Sequence, residues 1–292
     1  MVKAANIQVS DAIRRALFWQ DLYSCLFIGT TRLVSHRDYE EFTGEICLSS
    51  SPGFFLPLGF QGIVSVFPAE FLEILIDLNA LCCHVDLRCA PGSLPLHECP
   101  IDNLQYNIES RLVDQLSHDR ASSKEDWILQ ACIFACFLVA YQLSTGIWEG
   151  CFIPEYCATQ VMSLLERAEG DGRWEQDAFG DLLLWLLFVC GALAKRSHVR
   201  MRARKMIRKC GSELSNKKYG EREPWKAICQ NFIWSSHSME EKCRQFSHEI
   251  HSQEDGIIQT KDEEATILHP SCIQLRIRQS GKSAGNPIVG AA

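Results

Sequence analysis

The stretch that decides the fold is WILQACIFACFLVAY, residues 127–141, in which Gln130 is the only strongly polar residue. A second stretch, LLLWLLFVCGALA over residues 182–194, has the same character. A helix that is apolar on every side must be buried on every side. The sequence therefore predicts two central helices that are wrapped by other helices of the same chain.

Several other segments have the pattern of amphipathic helices that would form this wrapping. Apolar residues recur at helical spacing over residues 71–85 and 101–116, for example. No sustained alternation of apolar and polar residues indicates a sheet, although a short hairpin within residues 46–66 stays open as an alternative. We predict an all-α fold: an irregular multi-helix bundle forming one domain over residues 1–252, followed by a flexible, disordered tail over residues 253–292.

Composition sets the broad class of the protein. The 292 residues are 47% apolar and 22% charged, which is ordinary for a globular protein and excludes disorder of the whole chain. A membrane span needs about 20 apolar residues, so both apolar stretches are too short and no membrane partner is expected. No secretory signal opens the sequence, so the 15 cysteines are interpreted as reduced thiols of an intracellular protein.

Four patterns were considered as metal or phosphate sites, and each fails on spacing or surroundings. The densest group of ligand types is Cys82, Cys83, His84, Cys89, His97 and Cys99. Structural zinc usually takes pairs of ligands two to four residues apart, and the sequence contains no Cys-x-x-Cys. Cys132 and Cys136 share a face of the most apolar helix, which indicates core packing.

The two remaining patterns are incomplete copies of known motifs. His248 and His251 are three residues apart, whereas the two histidines of a zincin helix must be four apart to face one metal ion. Gly281-Lys282-Ser283 lacks the preceding glycine of a phosphate-binding loop, because Arg276 stands in its place. We therefore expect no metal, no cofactor and no catalytic residue, and we expect that the protein is not an enzyme.

The remaining candidate site is a basic helix. Residues 195–218 contain ten Lys or Arg and one acidic residue, a local charge of +9 in a chain of net charge −7. The candidate contact or nuclear-import patch consists of Arg200, Arg202, Arg204, Lys205, Arg208 and Lys209. The alternative is an ordinary amphipathic helix with a solvated outer face. No interleaved aromatic residues indicate stacking on nucleic-acid bases.

The order of the packing segments resembles a known family. The segments are RRALFWQDLYSCLFIGTTRLVSHRDY (14–39), LPLGF (56–60), ILIDLNALC (74–82), IDNLQYNIESRL (101–112), IWEGCFIP (147–154), DLLLWLLFVCGALA (181–194) and QNFIW (230–234). Together they look like the all-helical regulatory domain of fungal zinc-cluster transcription factors, over roughly residues 10–250. The resemblance implies a nuclear transcription regulator with a regulatory protein, the transcriptional machinery or a small-molecule effector as its partner.

The sequence departs from this family at its start. Members typically carry an N-terminal cluster of six cysteines that binds two zinc ions and reads DNA, and no Cys-x2-Cys-x6-Cys precedes Arg14. We therefore expect no direct DNA binding by this chain. A truncated gene model and a regulator without its own DNA reader both stay open, as does a homodimer. The alternative function is that of a helical enzyme or a small-molecule binding protein with a pocket between helices.

Overall fold

The computed structural model describes residues 10–39, 55–90, 101–122, 126–143, 151–170, 179–214 and 224–251, without the side chains of 211–214 and 224. The α-helices in these residues are α1 (Asp11–Ile28), α2 (Leu58–Gln61), α3 (Ala69–Cys89), α4 (Ile101–Ala121), α5 (Trp127–Leu143), α6 (Ile153–Gly170), α7 (Gly180–Leu193), α8 (Ser197–Leu214), α9 (Pro224–Gln230) and α10 (Ser236–His251). Two short 3-10 turns are η1 (His36–Asp38) and η2 (Val64–Val66).

The predicted all-α class is confirmed, and the described residues contain no strand. Residues 55–66, where the sequence left a hairpin open, form α2 and η2 instead. The other half of that stretch lies outside the described residues. The tail predicted over residues 253–292 lies outside them as well.

The two apolar helices lie at the centre, as predicted. Helix α5 buries 15 of its 17 residues and is contacted by α3, α4, α6, α7 and α10. Helix α7 buries 11 of its 14 residues and is contacted by α2, α5, α6, α8, α9 and α10. Because each is surrounded on all sides, neither needs a polar face. None of the described helices combines the length and the apolar character that a membrane span requires.

The surrounding helices bury one apolar stripe each. Helix α8 turns Val199, Ala203 and Met206 toward α7, which is the stripe that its periodicity predicts. Helix α5 begins at Trp127 with a side-chain cap. The Asp126 carboxylate accepts hydrogen bonds from the N–H groups of Ile128 (3.0 Å) and Leu129 (3.3 Å).

Carboxylates from other helices fix two of the chain connections. Asp86 of α3 accepts hydrogen bonds at the start of α10 from Ser235 Oγ (2.6 Å) and from the N–H groups of Ser236 (2.8 Å) and His237 (3.0 Å). The Glu155 side chain of α6 accepts from two N–H groups just before α8. Free N–H groups at a helix start need such acceptors, so these contacts orient α8 and α10 against the bundle.

Candidate functional site

The basic residues of α8 are placed around its edges by the burial of its apolar stripe against α7. Arg200 lies toward α10, where its Nε donates to Glu249 Oε2 at 3.1 Å and its Nη2 donates to Glu249 Oε1. The same guanidinium donates to the carbonyl of Ala194 (3.2 Å) and lies 5.5 Å from the ring centre of Phe246. Arg200 therefore joins α8 to α10 and to the end of α7.

Arg202 and Lys209 lie on the opposite edge of α8, toward α6. Arg202 pairs with both carboxylate oxygens of Glu166, at 2.9 and 2.7 Å, and this hydrogen bonding raises the pKa of Arg202. Lys209 donates a hydrogen bond to Glu169, which also lies in α6. A guanidinium and a carboxylate that share two parallel hydrogen bonds fix the relative position of the two side chains as well as pairing their charges. These two bases hold α8 against α6.

Arg204 and Arg208 extend the contact with α10. Arg204 donates to the backbone carbonyl of Glu249 at 3.4 Å, and Arg208 donates to the carbonyl of Ile250 at 3.3 and 3.2 Å. Cations near the last carbonyls of a helix interact favourably with its dipole. Five of the six candidate residues thus contact neighbouring helices of the bundle.

The sixth candidate, Lys205, is exposed and forms no hydrogen bond or ion pair with the residues that the structure describes. Met201, one turn before it, is 54% exposed. The side chains of Lys195, Arg196 and His198 are exposed at the start of the helix. We call these five residues the α8 outer face. The sequence did not separate them from the bridging bases, because the acidic partners Glu166, Glu169 and Glu249 are distant in sequence.

A second candidate site lies where four of the quoted segments meet. The N–H of Gly59 donates to the carbonyl of Asn231 at 2.7 Å, which ties α2 to the segment after α9. The Phe60 ring lies edge-on to Phe232 (centroids 5.0 Å apart), and Phe232 stacks on Trp185 of α7 at 5.5 Å. A Cβ at Gly59 would come 2.6 Å from the Phe232 ring, so only glycine allows this approach.

Above this aromatic floor is an open cleft of about 360 Å³. Its lining residues are Phe55, Leu56, Pro57, Leu58, Gln61, Asn79, Gln230, Asn231 and Phe232. None of these residues is charged, and four of them carry side-chain amides. Phe55 and Leu58 are 72% and 69% exposed. Apolar surface with a few amide groups suits an uncharged molecule better than an anion or a cation. We call this feature the α2 cleft.

The polar cluster around His36 joins residues that are distant in sequence and has no sequence signature, and its geometry is that of a structural clamp. The Arg32 guanidinium is nearly buried and donates to Ser110 Oγ and to Asp21 Oδ2 (3.3 Å). Because arginine only donates, the Ser110 hydroxyl proton is free to point at His36 Nδ1, 3.2 Å away. The segment before η1 is thereby fixed to α1 and α4.

This cluster does not have the arrangement of a catalytic triad. A triad places the hydroxyl and the carboxylate on opposite ring nitrogens of the histidine. Here Ser110 Oγ and Asp114 Oδ2 (3.7 Å) both lie near Nδ1 of His36. Burial, together with nearby guanidinium groups, lowers the pKa of His36 to about 4. The ring is therefore neutral at physiological pH, and its contact with Asp114 is not an ion pair.

Nine of the twelve described cysteines are buried, as expected of core residues. Burial raises the pKa of Cys25, Cys82, Cys83, Cys132, Cys136, Cys157, Cys190, Cys229 and Cys243. A thiol with a raised pKa stays protonated and is a poor nucleophile and metal ligand. Among the described residues no three His, Cys, Asp or Glu side chains are grouped to hold a metal ion. His97 and Cys99 lie outside the described residues.

Of the other two sequence patterns, one lies in the described residues. In the pattern around His248 and His251, the intervening Glu249 binds Arg200, which gives this carboxylate a structural role. Gly281-Lys282-Ser283 lies outside the described residues.

Comparisons of the chain with family models, with curated proteins and with solved structures found no match.

Proposed function

We propose that this chain is a transcription-regulator-like protein of the kind that fungal zinc-cluster factors use as their regulatory domain. It acts in the nucleus through a regulatory protein partner, the transcriptional machinery or a small-molecule effector, and it carries out no catalysis. The carrying observation is that LPLGF, ILIDLNALC, DLLLWLLFVCGALA and QNFIW, four segments on which the resemblance rests, meet at the α2 cleft. Residues of the first, second and fourth of these segments line the cleft, and Trp185 of the third packs against Phe232.

Two further observations bear on the kind of partner and support a protein or an effector over catalysis or DNA contact. The polar clusters around Arg200 and His36 join helices, which gives their charged groups a structural purpose. The bridging arginines of α8 are occupied by carboxylates and backbone carbonyls, which leaves few cations for phosphates. We therefore propose contact with a protein or an effector in preference to direct DNA binding. The homodimer stays a hypothesis.

A tethering experiment tests this proposal. The full chain is fused to a heterologous DNA-binding domain in fungal cells that carry a reporter gene with the matching operator. We expect a several-fold change in reporter expression and nuclear accumulation of the unfused chain. The control is the fusion carrying Leu186→Asp, which should lose the effect because the core is disrupted. An unchanged reporter together with exclusion of the unfused chain from the nucleus would contradict the proposal.

The second candidate function is small-molecule binding, which the α2 cleft specifically favours. Its volume of about 360 Å³ falls in the range of ligand pockets. Native mass spectrometry of the protein purified from its own cells should then detect a bound uncharged molecule. Leu58→Glu, which places a charge at the cleft, should abolish this binding. Leu87→Glu, at a leucine outside the cleft that is 58% exposed, should preserve it. Identical spectra for both variants would exclude the cleft as the binding site.

A further inference from the structure

The α8 outer face carries positive charge that the bundle does not compensate. Lys195 and Arg196 precede the helix, and His198 and Lys205 follow on its exposed side. His198, Met201 and Lys205 have the spacing i, i+3 and i+7, which places them on one face. Lys195 and Arg196 stand within three residues of His198, so the exposed cations Lys195, Arg196 and Lys205 all lie along the first half of α8.

The acidic residues next to this patch are already bound elsewhere. Glu166 and Glu169 bind Arg202 and Lys209 at one edge of α8, and Glu249 binds Arg200 at the other. Glu155 binds the backbone N–H groups of Lys195 (3.1 Å) and Arg196 (3.0 Å) and does not reach their side-chain charges. Among the described residues, these pairs leave the charges of Lys195, Arg196 and Lys205 without an acidic partner, and such charges attract a negatively charged segment.

Met201 indicates which negatively charged partner fits. Its side chain is 54% exposed between His198 and Lys205, so the centre of the patch is apolar and adaptable. A phosphodiester backbone presents mainly charged oxygens and little apolar surface to cover a methionine. A protein segment that combines acidic and apolar residues covers the thioether and pairs with the surrounding cations at the same time.

We propose that the α8 outer face is a docking surface for an acidic segment of a partner protein that inserts an apolar side chain against Met201. Lys195, Arg196 and Lys205 pair with its carboxylates. Arg200, Arg202 and Lys209 maintain the position of the helix and stay in their intramolecular pairs. This interaction does not depend on a role in transcription, so it is tested without a reporter gene.

Fluorescence anisotropy of the full chain tests the interaction. The probe is a labelled peptide that alternates glutamate with leucine, and its matched control alternates glutamate with serine at the same charge. We expect salt-sensitive binding of the first peptide and binding at least about tenfold weaker for the second. Arg196→Glu combined with Lys205→Glu should weaken binding by about tenfold or more, because like charges then face the peptide. Met201→Ser should reduce the preference for leucine over serine.

Matched variants and competitors decide the outcome. Arg37→Glu, which reverses an exposed charge outside α8, should leave peptide binding unchanged, and circular dichroism should report a native fold for every variant. Equal binding of the two peptides, or tighter binding of a DNA duplex than of the glutamate–leucine peptide, would overturn the proposal. Binding that appears only after removal of residues 253–292 would also overturn it, because the acidic stretch EDGIIQTKDEE (254–264) of this chain would then be the occupant.

Discussion

The ring of Phe246 in α10 occupies the space where a side chain at position 191 would lie, since a Cβ at Gly191 would come 2.1 Å from Phe246 Cζ. Phe246 is completely buried, stands edge-on to Phe188 at 5.6 Å, and lies beneath the guanidinium of Arg200. Glycine in the middle of a buried helix is otherwise unfavourable. The gain here is a close approach between α7 and α10, which brings Arg200 within reach of Glu249.

We predict that Gly191→Ala destabilises the protein by about 1–3 kcal/mol, because the ring of Phe246 must shift in a tightly packed core. Thermal or urea unfolding measures the loss. Gly62→Ala is the control, since a Cβ at that position meets no atom within 4 Å. The control should change the free energy of unfolding by no more than about 1 kcal/mol, and in the stabilising direction. Equal destabilisation of the two variants would contradict the close approach.

We predict that Leu186→Asp prevents folding. Leu186 lies in α7, which is contacted by six other helices, and it is completely buried. An unpaired carboxylate at such a position costs more than the whole stability of a typical domain can offset. Circular dichroism should show loss of helix, and the protein should accumulate in the insoluble fraction. Leu17→Asp, at a leucine of α1 that is 53% exposed, should fold normally. A folded Leu186→Asp variant would mean that α7 is not central.

The basic helix gives a prediction that separates bridging from exposed cations. Arg200→Ala removes the pair with Glu249, the hydrogen bonds to backbone carbonyls and the contact with Phe246. We expect a loss of about 2–3 kcal/mol, measured by chemical unfolding. Lys205→Ala, at an exposed position five residues further along the same helix, should change stability by less than about 0.5 kcal/mol. Similar losses for the two variants would argue against the division of α8 into bridging residues and an outer face.

A further prediction concerns the start of α10. Asp86→Ala removes the acceptor of three hydrogen bonds, including two from N–H groups of residues 236 and 237. Hydrogen bonds to a charged acceptor are stronger than neutral ones, so we expect a loss of about 1–3 kcal/mol. Hydrogen exchange should show faster exchange confined to the first turns of α10. Glu73→Ala, on the exposed side of the same helix α3, serves as the control and should be close to neutral.

The sequence was a good guide to the core and a poor guide to the contacts between helices. Periodicity and hydrophobicity identified α5 and α7 as buried, and they identified the inward stripe of α8, because burial depends on the residues of one segment. The packing of Gly59 against Phe232 and of Gly191 against Phe246 depends on which helices are neighbours. Periodicity carries no information about that choice.

The same limit explains what the sequence could not say about the candidate sites. A run of bases in one helix predicts a charged surface, yet the partners of Arg200, Arg202 and Lys209 lie 36–49 residues away in sequence. Only the packing of α6 and α10 beside α8 shows which bases are occupied and that Lys205 is exposed. The α2 cleft is likewise formed by residues from separate segments, none of which has a recognisable ligand motif alone.

The clamp at His36 leads to a prediction about pH. The pKa of His36 is lowered to about 4 in the folded protein, against an ordinary value of 6.5 for the unfolded chain. The unfolded state therefore binds more protons between these values, so stability is full above about pH 6.5 and falls by up to about 3 kcal/mol as the pH drops toward 4. Urea unfolding across this range should show the decrease. His36→Gln, which cannot take up the proton, should flatten the curve between pH 6.5 and 5, where the carboxylates contribute less. A variant with the same pH dependence as the native chain would show that His36 titrates normally.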